Sequence, residues 1–359
     1  MSSIIGTKVK ISVFGESHGE AIGVVIDGLP VGYDIDLDKV YEEMKRRAPG
    51  QDEFSTPRVE KDIPRILSGI FQGKTTGAPL SAIIENTNTK SKDYSDLKVK
   101  MRPSHSDYPA MIKYGGYNDY RGGGHFSGRL TALFVFAGAV CKEILKESNI
   151  YLGGHIKSIG KIKDSEFHRV NISKELLDDL RVDRFPTLNK DIKEAMKDEI
   201  IKAREDGDSI GGVIEGAVIN LPVGIGNPMF NSVESVLAHM LFSIPGVKGV
   251  EFGAGFNIST LRGSEVNDEY YMEGESIKTY SNNNGGILGG LTTGMPVTFS
   301  VAFKPTPSIS LLQRTVNIDT KEDDILEIHG RHDPCIVQRA VPVVECAAAV
   351  AILDILLQN

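Results

Sequence analysis

Histidine, aspartate, serine and arginine recur together in four short segments of this chain, each bounded by glycine or proline. The first is Gly15-Glu16-Ser17-His18-Gly19, directly after an alternating apolar run. The second is Arg102-Pro103-Ser104-His105-Ser106-Asp107, and the third is Arg121-Gly122-Gly123-Gly124-His125-Phe126-Ser127-Gly128-Arg129. The fourth is Gly330-Arg331-His332-Asp333-Pro334-Cys335. A histidine on a tight turn is displayed to ligands, and its near-neutral pKa suits it to give or take a proton. Arginine forks grip carboxylate and phosphate oxygens. A glycine-rich approach to a helix start adds backbone N–H donors for an anion. Any one segment is equally well explained as a turn with surface charge. Together they form the inventory for a polyanionic substrate that needs one proton delivered and another removed.

Other motifs fall short on spacing. Gly69-Ile-Phe-Gln-Gly73-Lys74-Thr75 has three residues between its glycines where a phosphate-wrapping loop needs four, so it reads as a turn between strands. The run from Gly122 to Gly128 is one residue too long for a dinucleotide fingerprint, and no strand pattern precedes it. His329, His332 and Asp333 are metal-ligand types, but Arg331 between the histidines would repel a cation, so no metal is expected. His155, His168 and His239 stand alone and read as packed or solvated residues.

The elements that must position these segments are strands at residues 8–14, 22–26, 80–84, 213–221 and 297–303, where apolar residues alternate or cluster. Helical periodicity appears at 37–47, with Asp36 as N-cap, and at 128–147, 190–205, 233–242 and 343–357. Strands and helices interleave without a repeating βα unit, which favours an α+β fold. The 38 glycines bunch at 115–128, 246–255 and 285–294, and these loops are expected to converge on a single large site. No stretch between them reads as a linker. The length allows two domains or one large one.

A net charge of -8 argues against non-specific nucleic-acid binding, so cationic side chains for an anion must be concentrated locally. Three scattered cysteines suit a reducing, cytoplasmic compartment. The N-terminus lacks a signal-peptide core, and the longest apolar run, 132–141, has about ten residues against the roughly twenty of a spanning helix.

In order and spacing the four segments resemble the signatures of the chorismate synthase family. So do Lys45-Arg46-Arg47-Ala48-Pro49-Gly50, Ser243-Ile-Pro-Gly-Val-Lys-Gly249, Asn284-Gly-Gly-Ile-Leu-Gly-Gly290 and Lys304-Pro305-Thr306-Pro307-Ser308. The likeness runs from about Gly6 to Leu357. It implies one domain over 1–359, an α+β fold with helices sandwiched between two antiparallel sheets, and a homotetramer. It also implies an anti-1,4-elimination of phosphate from 5-enolpyruvylshikimate-3-phosphate, giving chorismate, with reduced FMN required but no net redox change. By position, His18 resembles the residue that keeps the reduced flavin correctly protonated. His105 resembles the general acid for the departing phosphate, and Asp333 the base for the C6 proton. Ser17, Arg47, Arg102, Ser127, Arg129 and Arg331 resemble substrate contacts. His125, Phe126, Ser127, Pro245, Gly246, Gly289, Lys304, Pro305, Thr306, Pro307, Ser308 and Arg331 resemble flavin contacts.

The chain departs from the family pattern at His125, Phe126 and Leu130, where arginine, serine and glutamate are usual. Ala48 and Glu53 stand where further arginines are often found. These departures bear on flavin-phosphate binding and on whether the chain reduces its own flavin with NADPH or depends on an external reductant. A flavin-dependent oxidoreductase acting on an anion, and a non-catalytic FMN- or phosphate-binding module, are the competing readings.

Overall fold

A computed structural model of the chain describes residues 3–50, 60, 62–87, 96–328 and 333–359. The alternation in its N-terminal strands sorts their side chains onto two faces. In the first sheet the strands lie in the order Ile4–Ile5, Lys10–Gly15, Ala21–Asp27, Leu80–Glu85, Arg65–Ser68, all antiparallel to their neighbours. Ile22, Val24 and Ile26 pair across the ladder with Ile84, Ala82 and Leu80, and all six are buried on one face. The second sheet has the order Val247–Phe252, Val297–Phe303, Gly212–Ile219, Tyr151–Ile159, Ile162–Lys163, again antiparallel. Its central strands are buried on both faces. Ile156, Ile214 and Val301 join the main core, whereas Ala217 and Ile219 join a smaller cluster with Phe167, Leu177 and Leu180.

The helices are α1 (Leu37–Arg47), α2 (Asp107–Tyr114), α3 (Thr131–Lys146), α4 (Lys174–Val182), α5 (Ile192–Glu205), α6 (Val233–Phe242), α7 (Gly263–Val266) and α8 (Val337–Leu356). The Asp36 carboxylate caps α1 as expected, accepting from the amides of Asp38 and Lys39. Helices α3 and α8, apolar almost throughout, lie against each other; α3 touches strands of both sheets and α8 those of the second. They meet at Gly138, where a Cβ would come within 2.3 Å of the Cys346 Cβ. The one acidic break in the apolar end of α8, Asp354, is buried and accepts from the backbone amides of Thr7, Lys8 and Val9. It pins the N-terminal segment to the core.

The α+β class and the helix layer between two antiparallel sheets are as expected. Several boundaries differ. Helix α8 begins at Val337, six residues before the expected 343, because Pro342 sits within it and interrupts the sequence pattern. Tyr151–Ile159 is a strand despite Gly153 and Gly154. Gly153 admits α4, since a Cβ there would lie 2.8 Å from Leu177. Residues 69–75 do form a turn between strands, with Gln72 and Gly73 at positive φ. Cys141, Cys335 and Cys346 are buried free thiols. Among the described residues no helix is long and apolar enough to cross a membrane.

Candidate active site

Where the helix layer opens between the sheets, a cleft of about 850 Å³ is lined by parts of the first sheet, α3, α6, α8 and the loops before α2 and α3. That lies towards the upper end of the range for ligand pockets, roughly 300–1,000 Å³. Ile11, Val13, Phe134, Phe303, Ile336 and Val343 supply apolar wall, and charged groups converge on it from separate elements.

The loop before α3 is shaped by its glycines. Gly122, Gly123 and Gly124 all have positive φ, and Gly124, at φ 53° and ψ -125°, is in a region that only glycine adopts readily. A Cβ on Gly122 would lie 2.2 Å from the His18 ring, and one on Gly123 would lie 3.3 Å from the His105 ring. The loop is therefore a thin layer between two histidines. His18 and Ser17 are buried behind it, with Ser17 Oγ 3.2 Å from His18 Nδ1, and neither lines the cleft. His105 does line it. Ser127 caps the turn that leads into α3, accepting from the Arg129 amide.

Arg47, at the end of α1, donates to Asp62 at 2.6 Å, to the Gly128 carbonyl and to Thr131. Burial, together with Arg339 and Arg129 nearby, brings its pKa down to about 10 against the pull of Asp62. Arg129 pairs with Asp62 and with Glu60, and also donates to Asn86. Burial acts to raise the Asp62 pKa, but Arg47 and Arg129 outweigh it and hold the carboxyl below its ordinary value. Asn86 in turn donates to the carbonyls of Glu16 and Gly19, tying the His18 turn to Arg129.

Arg102 forks onto Asp107, which also contacts His105 Nδ1 at 2.6 Å. Burial and the Arg102 and Lys304 cations push the His105 pKa below its ordinary value, against the support of Asp107. Ser104, in the same loop, adopts φ 58°, an uncommon conformation outside glycine. Its carbonyl accepts from the Lys304 ammonium. Burial and the neighbouring Lys248 lower the Lys304 pKa. Thr306 donates to the Asp333 carbonyl at 2.8 Å, joining the 304–308 loop to the start of α8. The Asp333 carboxylate pairs with Arg339 at 2.5 Å, and Arg339 also donates to the Arg47 carbonyl.

The cleft thus brings together His105, Asp333, Arg47, Arg102, Ser127, Arg129, His125, Phe126, Pro245, Gly246 and Lys304, Pro305, Thr306, Pro307 and Ser308. It does not gather Gly289, which is exposed on a hairpin outside the lining. The expected convergence of three glycine bunches is corrected accordingly. The third, at 285–294, packs against Gly253 and residues 223–227 and leaves the cleft to the other two. At His125, where the family pattern has arginine, Nδ1 faces the Gly15 carbonyl and Nε2 the Ser3 hydroxyl, so both ring nitrogens are engaged by the protein. Arg331, His329, His332 and Glu53 lie outside the described residues.

Sequence reasoning assigned no role to Asp62, Glu60, Asp107, Arg339, Lys248 or His239, all of which line the cleft or brace its lining. Asp107 carried a signal, two positions from His105. His239, expected to be a packed or solvated residue, lines the cleft from α6. Asp62 and Arg339 have no local motif and are recognisable only by what they face.

The profile of a family described as "Chorismate synthase" matches residues 9–357. A chorismate synthase from Thermococcus kodakarensis is 46% identical, covering 99% of this chain and 97% of its own length. One from Methanocaldococcus jannaschii is 45% identical, covering 99% and 96%. A solved structure entitled "Crystal Structure of Chorismate Synthase" superposes with a TM-score of 0.77 at 29% identity, covering 99% of this chain and 93% of that one.

Proposed function

Since the chain belongs to the chorismate synthase family, we propose that it eliminates phosphate from 5-enolpyruvylshikimate-3-phosphate by anti-1,4-elimination, forming chorismate with the help of reduced FMN. The observation that carries this reading is the presence of His105 and Asp333 on one cleft with Arg47, Arg102 and Arg129. That set matches a substrate with two carboxylates and a phosphate that must gain a proton at the leaving oxygen and lose one from carbon.

The cleft residues suit a flavin mononucleotide. The apolar wall fits a flat ring system, and Lys304 and Lys248 offer cations to its phosphate. When bound, reduced FMN supplies transient electron density to the carbon–oxygen bond that breaks. The chain's own residues do the rest. Arg47, Arg102 and Arg129 hold and orient the anionic groups. His105 delivers a proton through Nε2 to the oxygen of the departing phosphate. Asp333, positioned by Arg339, takes charge of the proton leaving C6. His18, buried behind the glycine loop with Nδ1 beside Ser17 Oγ, would keep a bound reduced flavin in its protonation state. The same reading extends to a homotetramer, for which exposed Met229, Phe230 and Phe256 offer apolar surface.

The test is an anaerobic assay with pre-reduced FMN, run with and without NADPH. Phosphate release without stoichiometric consumption of reducing equivalents is expected. Consumption in step with product would instead identify an oxidoreductase, and binding without turnover a non-catalytic module.

A further inference from the structure

We propose that Asp107 is the positioning residue for His105, fixing Nδ1 as the protonated nitrogen so that Nε2 alone exchanges a proton with the substrate. The proposal rests on the reading of His105 as the general acid.

Asp107 is the first residue of α2 and is buried. Its Oδ1 lies 2.6 Å from His105 Nδ1 and accepts from Arg102 Nη2 at 2.7 Å. Its Oδ2 accepts from Arg102 Nε at 2.7 Å and from the Arg102 amide at 3.1 Å. Four contacts use the acceptor capacity of a carboxylate, about four lone-pair sites. Burial acts to raise the Asp107 pKa, but Arg102 and His105 overcome it and hold the group far below the usual carboxylate range. An ionised carboxylate has no proton to share, so the proton between the two groups belongs to Nδ1. Nε2 is left for the cleft. The edge carrying it lies beside Gly123, where a Cβ would come within 3.4 Å of Nε2.

Charge leads to the same assignment. Arg102 and Lys304 both disfavour the imidazolium, and Asp107 is the group that supports it. Arg102 can therefore serve an anionic substrate three positions from a histidine that must itself become positive, because Asp107 stands between their charges. In the step itself the Nε2 proton passes to the ester oxygen as the C–O bond breaks. The bonding pair stays on that oxygen, hydrogen phosphate leaves, and His105 returns to neutral imidazole. The Nδ1 proton remains on the ring, directed at Asp107. In the competing account Asp107 merely secures Arg102 and the start of α2, so its loss should weaken substrate binding and nothing else.

The experiment compares wild type, Asp107→Asn, His105→Ala and the double variant. It measures single-turnover phosphate release with pre-reduced FMN at saturating substrate across pH, with substrate titrations alongside. Asp107→Asn is expected to slow the saturated rate by about 10²-fold or more. Its alkaline limb should move to lower pH, and the same change in the His105→Ala background should cost nothing further. A near-normal saturated rate with weakened binding, or multiplicative losses in the double variant, overturns the proposal. The ¹⁵N spectrum of histidine-labelled wild type is an independent check that survives a poorly folding variant. It should show His105 protonated at Nδ1, and an Nε2–H tautomer overturns the assignment. Absence of phosphate release from wild type while the Nδ1–H tautomer is observed would overturn the acid role, and with it the proposed function, rather than the contact.

Discussion

Two influences compete at His105. Burial and the cations of Arg102 and Lys304 disfavour its charged form, and Asp107 favours it, with a net lowering in the free protein. A phosphate dianion beside Nε2 adds a further favourable charge, so the bound enzyme should hold the proton to higher pH. The alkaline limb of kcat/KM, which reports the free enzyme, is therefore expected at lower pH than the limb of kcat. His105→Ala should lose roughly 10²–10⁴ in kcat, as for a positioned general acid, and abolish both limbs. Steady-state phosphate release across pH measures this, and an unchanged limb in the variant would remove His105 from the proton step. Asp333 invites a similar comparison, because its carboxylate pairs with Arg339 of α8. Asp333→Asn keeps an oxygen for Arg339 but cannot take a proton, so both ligands should bind while turnover is lost. Weak binding with a near-normal single-turnover rate would make the aspartate a loop brace only. His105, Asp333 and the three arginines were legible because their chemistry is carried within short motifs. Arg339 was not, since among the apolar residues of α8 it reads as an isolated surface charge until its neighbours are known.

Glycine sets how closely elements approach, and this is where sequence pattern was most ambiguous. The bunch at 115–128 could be read as a ligand loop, and it does cover His18 and flank His105. The bunch at 285–294 has the same composition but serves a hairpin packed against Gly253, because close backbone contact and ligand approach demand the same residue. Single glycines in apolar runs hid elements: Gly153 and Gly154 concealed a buried strand, as Pro342 concealed the first turns of α8. Gly138, within α3, is the sharpest case. Alanine there would gain about 1 kcal/mol in helix propensity. It would also place a methyl 2.1 Å from the Cys346 carbonyl oxygen and 2.3 Å from the Cys346 Cβ, between α3, which touches both sheets, and α8, which packs on the second. Overpacking a tight core costs about 1–3 kcal/mol or more, so the clash should win and Gly138→Ala should be destabilising. Urea unfolding of the variant tests this, and a rise in midpoint would mean that α3 and α8 can separate without cost.

At the scale of the whole molecule, a chain of net charge -8 sets several of its cations on internal carboxylates, while Arg65, Arg184, Arg204, Arg262 and Arg314 are exposed. Behind the cleft, Arg46 and Lys142 share Glu345, and Arg46 and Arg181 share Glu43, joining α1, α3, α4 and α8 by ion pairs between buried or half-buried groups. A second cluster lies on the far face of the second sheet, where strand register places His155 beside Glu215. Of the two readings for His155, packed or solvated, the first holds: it is fully buried with its ring edge-on to Phe167. Its Nε2 lies 2.8 Å from Glu215 and its Nδ1 3.3 Å from Asp164, so a buried imidazole stands between two carboxylates. Burial acts to lower its pKa, but Asp164 and Glu215 outweigh it and raise the group above its ordinary value. A histidine with a raised folded pKa stabilises the fold fully below its unfolded pKa, near 6.5, and that contribution fades as pH climbs through the folded value. His155→Gln retains a polar side chain of similar reach but no charge, which leaves Asp164 and Glu215 without their cation. The gap in Tm between wild type and this variant should therefore be widest near pH 6 and narrow steadily towards pH 9. Thermal unfolding of both proteins in matched buffers across that range measures it. A gap that stays constant with pH would mean that folding leaves the His155 pKa unshifted, and one that narrows towards pH 6 would mean the ring is held neutral; either outcome rejects the raised value.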